Sequence, residues 1–180
     1  IHGPDAEAFL DRLTLRDVTK HSHMRVQYTA WCDDVGQVLD DGTLFRFDQN
    51  RFSLCCQERH LPWLLDSANG YDVVIHEETG EIAGLALQGP TSCAILKKAG
   101  FAGVELLKPF VIGNFSLGDI AVTISRTGFT GDLGYELWVP PHYQRALFDR
   151  IVAAGEPYGL RLFGMRALMS LRLEKSYGTW

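Results

Sequence analysis

Only four of the 180 residues are cysteine, at 32, 55, 56 and 93, and no two of them are spaced Cys-x-x-Cys. That scarcity argues against a disulfide framework, and leads us to expect reduced thiols in a cytoplasmic protein. Positive charge is also short: 17 Lys and Arg face 22 Asp and Glu, a formal net charge of −5. No global positive field draws such a surface toward nucleic acid, so an anionic ligand has to be met locally. No apolar run approaches the ~18–20 residues that span a bilayer, so membrane insertion is not expected. A Gly-x-Ser-x-Gly elbow is absent, which removes support for a serine hydrolase. No internal repeat, low-complexity tract or linker-like shift in composition interrupts the chain.

What is present is an ordinary globular composition, 46 % hydrophobic and 22 % charged. A chain of this length amounts to about one domain and can bury roughly 70 % of its unfolded surface. It begins with Ile1 and opens at once on Gly3-Pro4-Asp5, and it stops after Gly178-Thr179-Trp180 without a polar tail. Both ends lead us to expect a segment of a longer chain.

Phe9, Leu10 and Leu13 fall at helical spacing after Pro4. Strand-like runs at 26–31, 38–47 and 52–57 are separated by turn chemistry and predict an antiparallel meander. Trp63, Leu64, Leu65 and Ala68 then predict a helix that stops at Asn69-Gly70. Further strands are expected at 71–76, 82–88, 114–117, 120–126 and 135–139. Thr91-Ser92 should cap a helix running to Gly100, and two more helices are expected near 142–154 and 165–175. Strands mixed with helices, without strict alternation, argue for an α+β fold.

Few groups stand out chemically. Glycines recur every third residue in Gly128-Phe129-Thr130-Gly131-Asp132-Leu133-Gly134-Tyr135-Glu136, which permits close backbone approach. The intervals are not those of a dinucleotide fingerprint, and the segment leads into a strand, so a tight loop and a ligand loop both remain open. Asp40 and Asp41 interrupt a strand. Adjacent strand side chains point to opposite faces, so at most one enters a pocket and the other should be solvated. A sheet-edge charge and a catalytic carboxylate are both open readings. His21 and His23 alternate as a same-face strand pair would, but no carboxylate or cysteine is in register with them, and Cys55 and Cys56 should point apart. No metal site is expected.

Four strings carry a family resemblance. The 128–136 segment resembles the Gly-Tyr-Thr-Gly-Glu-x-Gly-Tyr-Glu signature of the glycine cleavage T protein family of folate-dependent aminomethyltransferases. Leu87-Gln88-Gly89-Pro90, Gln27-Tyr28 followed by Gly36-Gln37-Val38-Leu39-Asp40-Asp41, and Ser170-Leu171-Arg172-Leu173-Glu174 resemble three further family motifs, in the family's order. The resemblance implies a ferredoxin-like folate-binding domain spanning residues 1–180, with the family's C-terminal barrel domain lying beyond the chain. It also implies transfer of a one-carbon unit from an amine-type donor to tetrahydrofolate, in glycine catabolism or a related route. The donor would be a small molecule or carried on a lipoyl carrier protein. By the same resemblance Asp41, the second Asp of the pair, is the catalytic residue and Glu136 holds the pterin. Tyr28, Phe45, Phe110 and Phe129 match aromatic or near-aromatic pocket positions.

Three departures qualify the match. Gln57 stands where the family has an Asn, a longer amide that makes it a weaker pocket candidate. The family's Arg-Asp pair in the Ser-Leu-Arg region aligns with Leu168 and Met169, while Arg166 lies two residues earlier, roughly 200° around a helix. Arg166 is therefore either a folate-tail ligand or a surface charge. Finally, Leu173-Glu174-Lys175-Ser176-Tyr177-Gly178-Thr179-Trp180 is closer to the folate domains fused to sarcosine and dimethylglycine dehydrogenases. A flavoprotein folate domain and a non-catalytic folate-binding module are thus the alternatives, although the segment lacks the Cys of the iron–sulfur-assembly relatives.

Overall fold

The computed structural model describes residues 1–58 and 60–178. The Thr179-Trp180 end of the tail motif lies outside the described residues. The described chain forms two compact units, residues 1–77 and 78–178.

In the first unit, helix α1 (Ala6–Leu13) buries Ala6, Phe9 and Leu10. Asp5 precedes it, but its carboxylate accepts the Asp72 N–H at 2.9 Å and ties the far end of the unit to the helix start. Strands β1 (Arg25–Cys32), β2 (Val38–Arg46) and β3 (Phe52–Cys56) make the expected antiparallel meander. At its first turn Asp33 Oδ1 accepts the N–H groups of Val35 and Gln37, which closes the loop with Gly36 at φ 83°. The pleat sends Leu44 and Phe52 into a core with Ala6, Phe9, Leu10 and Val18. Arg46 is buried on the same side, which requires partners. It has them in Glu7 at 2.5 Å and the carbonyls of His21 and Val18.

In this unit an open reading is settled and one expectation fails. His21 and His23 are not a strand pair: His21 follows a short 3₁₀ turn (Val18–Lys20) and is buried, while His23 sits exposed in a turn before β1. Burial holds His21 neutral by lowering it to about 4, and Nε2 donates to the Arg25 carbonyl at 3.0 Å. After helix α2 (Leu61–Ser67), residues 71–76 form no strand. Tyr71, Val73 and Ile75 do pack on the core, so their alternation records a buried face, but backbone pairing there among the described residues is an isolated bridge between Val74 and His2 and the Asp5 N–H donated to the Asp72 carbonyl.

In the second unit, strands β4 (Ala83–Gln88), β5 (Ile112–Leu117), β6 (Ile120–Ser125) and β7 (Gly134–Val139) form an antiparallel sheet in the order β4-β7-β6-β5. One face presents Leu87, Val122, Ile124, Tyr135, Leu137 and Val139 to a core completed by α3 (Ser92–Ala99) and α4 (Gln144–Gly155). Helix α3 stops at Gly100, whose φ of 114° suits a residue without Cβ. The expected Thr91-Ser92 cap is not made: Thr91, which precedes the helix, has φ −91° and ψ −2° rather than the extended backbone of a capping residue, and the Ser92 hydroxyl donates to the Leu133 carbonyl. Helix α5 (Met165–Glu174) has no buried residue. The mixed α+β expectation holds, and none of the described helices is long and apolar enough to cross a membrane.

Leu137 is fully buried on β7, between β4 and β6. Truncating it leaves a cavity in close-packed surroundings, so Leu137→Ala should cost about 2–5 kcal/mol of stability in urea denaturation. A loss under 1 kcal/mol would mean that this sheet face is not the core.

Candidate functional site

The pleat of β2 decides the fate of the acidic pair. Asp40 points to the covered side and is only 2 % exposed, which overturns the expectation that the carboxylate outside the pocket would be solvated. Asp41 points to the opposite face, shared with Thr43 and Phe45 of β2 and Tyr28 of β1. The Tyr28 hydroxyl donates to the Asp41 carboxylate. Burial, and then the Asp41 hydrogen bond and charge, push Tyr28 up to about 12, so it stays a protonated donor at any working pH. Phe45 is buried and its ring lies 6.3 Å from that of Phe47. Gln57 follows the end of β3 and is exposed. Cys55 and Cys56 do point apart, Cys55 paired with Thr43 and Cys56 with Gly42. Burial, then the charges of Asp40 and Glu58, raise Cys56 to about 11, which removes it as a nucleophile.

In the second unit, Glu136 lies on the β7 face opposite the helices. Thr127 Oγ1 donates to its Oε2 at 2.5 Å, and Ser125 Oγ lies 2.7 Å from Thr127 Oγ1. Thr127 has one hydroxyl proton and gives it to Glu136, so Ser125 must be the donor in the second bond. Desolvation nonetheless raises the Glu136 carboxyl above its ordinary value, more than these hydroxyls lower it. A carboxylate in that condition is stabilised by any ligand that brings N–H donors.

The glycine spacing has a physical cause. A Cβ on Gly128 would lie 1.9 Å from Gln88 Oε1, and one on Gly134 would lie 2.0 Å from it. The Gln88 side chain therefore occupies the space that two side chains would need. Its Oε1 accepts the Thr130 hydroxyl at 3.2 Å and fixes the loop that carries Phe129. Gln88 was legible only as part of a string. The pairing of that string with the spaced glycines was the signal that could have marked it as an anchor.

A groove of about 620 Å³ in this unit is lined by Gly84, Ala86, Gln88, Phe129 and Glu136 on one side and by Leu162, Phe163, Met165 and Leu168 on another. It brings Phe129 and Glu136 together. Phe110 and Arg166 are not among its lining residues. Phe110 is exposed with φ at 62°, a left-handed conformation rare for a bulky residue and a form of local strain that clusters at functional sites. Arg166 is exposed in the first turn of α5, on a helix whose Met165 and Leu168 face the groove. Phe129 also packs 6.3 Å from Tyr177 and under the Arg172 guanidinium at 5.7 Å. No group of three or more metal-ligating side chains occurs among the described residues.

The sequence matches the family described as the GCVT N-terminal domain over residues 1–180. It is 37 % identical over 179 residues to an aminomethyltransferase of Bacillus subtilis, covering 97 % of this chain and 49 % of that protein. A similar match, 32 % identical with the same two coverages, is to an aminomethyltransferase of Thermoanaerobacter pseudethanolicus. Among solved structures, the glycine cleavage system aminomethyltransferase T from Bartonella henselae aligns with a TM-score of 0.81 and 30 % identity, over 96 % of this chain and 46 % of its own. The chain thus spans about half the length of the relatives it matches.

The raised Glu136 carboxyl gives a signed pH prediction. An acid whose folded value is raised ionises more easily when unfolded, so it disfavours the folded state at pH above both values and has no effect below them. Glu136→Gln keeps an acceptor for Thr127 and removes the charge. It should melt higher than the parent at pH 7, and the gap should close as pH falls below the ordinary glutamate range. A gap that widens toward acid would contradict this.

Proposed function

The chain belongs to the GCVT N-terminal domain family, and on that premise we propose that the protein is a tetrahydrofolate-dependent one-carbon transferase acting on an amine-type donor. The observation that carries the reading is the division of labour in the Asp40-Asp41 pair. Asp40 is absorbed into hydrogen bonds on the covered side, whereas Asp41 stands partly exposed on the other face with a neutral phenol donating to it.

Tetrahydrofolate suits the residues present. Glu136 offers a desolvated carboxylate to the N–H donors of a pterin edge, as a charge-assisted pair. Apolar groove walls and the Phe129 ring provide surface for a flat heterocycle. When bound, tetrahydrofolate supplies the nitrogens that accept the one-carbon unit. In this reading Asp41 orients the accepting amine and takes up the proton it sheds. Tyr28 holds the carboxylate toward that amine and, staying protonated, does not compete as a base. Tyr28 and Gln57 in the first unit, and Phe110 and Arg166 in the second, remain proposed ligand contacts by the family resemblance alone, whereas Phe45, 3 % exposed, packs beneath its strand face. The donor is a small methylated amine or an aminomethyl group on a lipoyl carrier protein, encountered in the cytoplasm.

Asp41→Asn retains the shape and the acceptor for Tyr28 but cannot take up a proton. In the complete gene product it should lower one-carbon transfer to tetrahydrofolate by about 10²–10⁴-fold. Folate affinity should stay within a few-fold. Transfer at the parental rate would remove Asp41 from the mechanism.

A further inference from the structure

The mechanism leaves one buried, fully engaged carboxylate unused. Asp40 Oδ1 accepts the backbone N–H of Asp41 at 2.8 Å. Its Oδ2 accepts the Glu58 N–H at 3.3 Å and receives His60 Nε2 at 2.9 Å. The imidazole is itself held edge-on, with its centroid 5.7 Å from that of Trp31 and 6.5 Å from that of Trp63.

Topology explains why such a cluster sits here. Strand β3 ends at Cys56, opposite Gly42, so Asp41 has a strand neighbour on the β1 side and none in register on the β3 side. A partly buried backbone N–H without a ladder partner is costly. The Asp40 carboxylate accepts it and, through its other oxygen, fastens the chain that follows β3. It replaces with side-chain bonds the pairing that β3 would have supplied one residue further on. Gly42 leaves little slack at this point, since a Cβ there would lie 2.2 Å from the Cys55 carbonyl oxygen.

We infer that Asp40 and His60 form a positioning clasp that sets the backbone of Asp41, and through it the direction of the Asp41 carboxylate toward Tyr28 and the reacting amine. This rests on the role proposed above for Asp41. Among the described residues His60 bonds to Asp40, whereas Asp41 is bonded by Tyr28 and by Asp40, so His60 acts through Asp40. A displacement of the order of 1 Å at a reacting group can cost about 10²-fold in rate, so a clasp of this kind acts on turnover more than on ligand affinity.

The test compares His60→Ala with His60→Gln, whose amide can still donate to Asp40, in the complete gene product. His60→Ala should lower kcat by about 10–100-fold with KM for tetrahydrofolate within about threefold, and His60→Gln should recover most of kcat. Amide hydrogen exchange supplies a readout independent of turnover: the Asp41 N–H should exchange about five- to tenfold faster in His60→Ala and near the parental rate in His60→Gln. Unchanged kcat and exchange in a folded His60→Ala protein would overturn the clasp. So would equal loss in both variants, or a loss of kcat with Asp41 exchange unaltered. If the parent protein shows no one-carbon transfer, the functional reading falls, while the exchange comparison still decides the clasp.

Discussion

A carboxylate removed from water must be met by donors, and that requirement organises both candidate centres. In the first unit Asp40 meets it completely, with two backbone N–H groups and an imidazole. In the second unit Glu136 meets it in part, through a two-hydroxyl relay that desolvation outweighs. The two outcomes separate structure from function. The satisfied carboxylate stabilises a backbone position, and the under-satisfied one retains capacity for a ligand with N–H donors.

Strand geometry turns these local conditions into chemistry. Because the pleat alternates, one dipeptide sends Asp40 into the covered layer and Asp41 to the open face beside Tyr28. The same alternation on β7 puts Tyr135 and Leu137 in the core and leaves Glu136 on the opposite face, next to the groove. The glycines at 128 and 134 belong to this design, since Gln88 fills the space beside both and anchors the loop bearing Phe129.

Much of the fold was legible from period and punctuation. The meander, the β5–β6 hairpin at Gly118-Asp119, α3 ending at Gly100 and the α+β class all follow from alternation, helical spacing and turn residues. Residues 71–76 misled because alternation reports burial on one face and says nothing about whether a partner strand lies within hydrogen-bonding reach. His21 and His23 left strand placement open for a related reason: a two-residue interval in a turn mimics strand spacing. In the site, motif resemblance picked out Asp41 and Glu136, whose surroundings the structure now describes. It carried Asp40 and Gln88 only as members of strings and left out Thr127 and His60; all four act on other protein groups through tertiary contacts. The Asp40–His60 bond joins residues twenty positions apart, and no local pattern announces it.

The central claim is that Glu136 is held ready for the N–H edge of a folate. Calorimetric titration of 5-formyltetrahydrofolate into the complete gene product and its Glu136→Ala variant tests it directly. The account predicts binding by the parent and loss of about 1.5–3 kcal/mol or more in the variant, the worth of hydrogen bonds to a charged group. Equal affinity in the two proteins, or no binding by the parent, would contradict it.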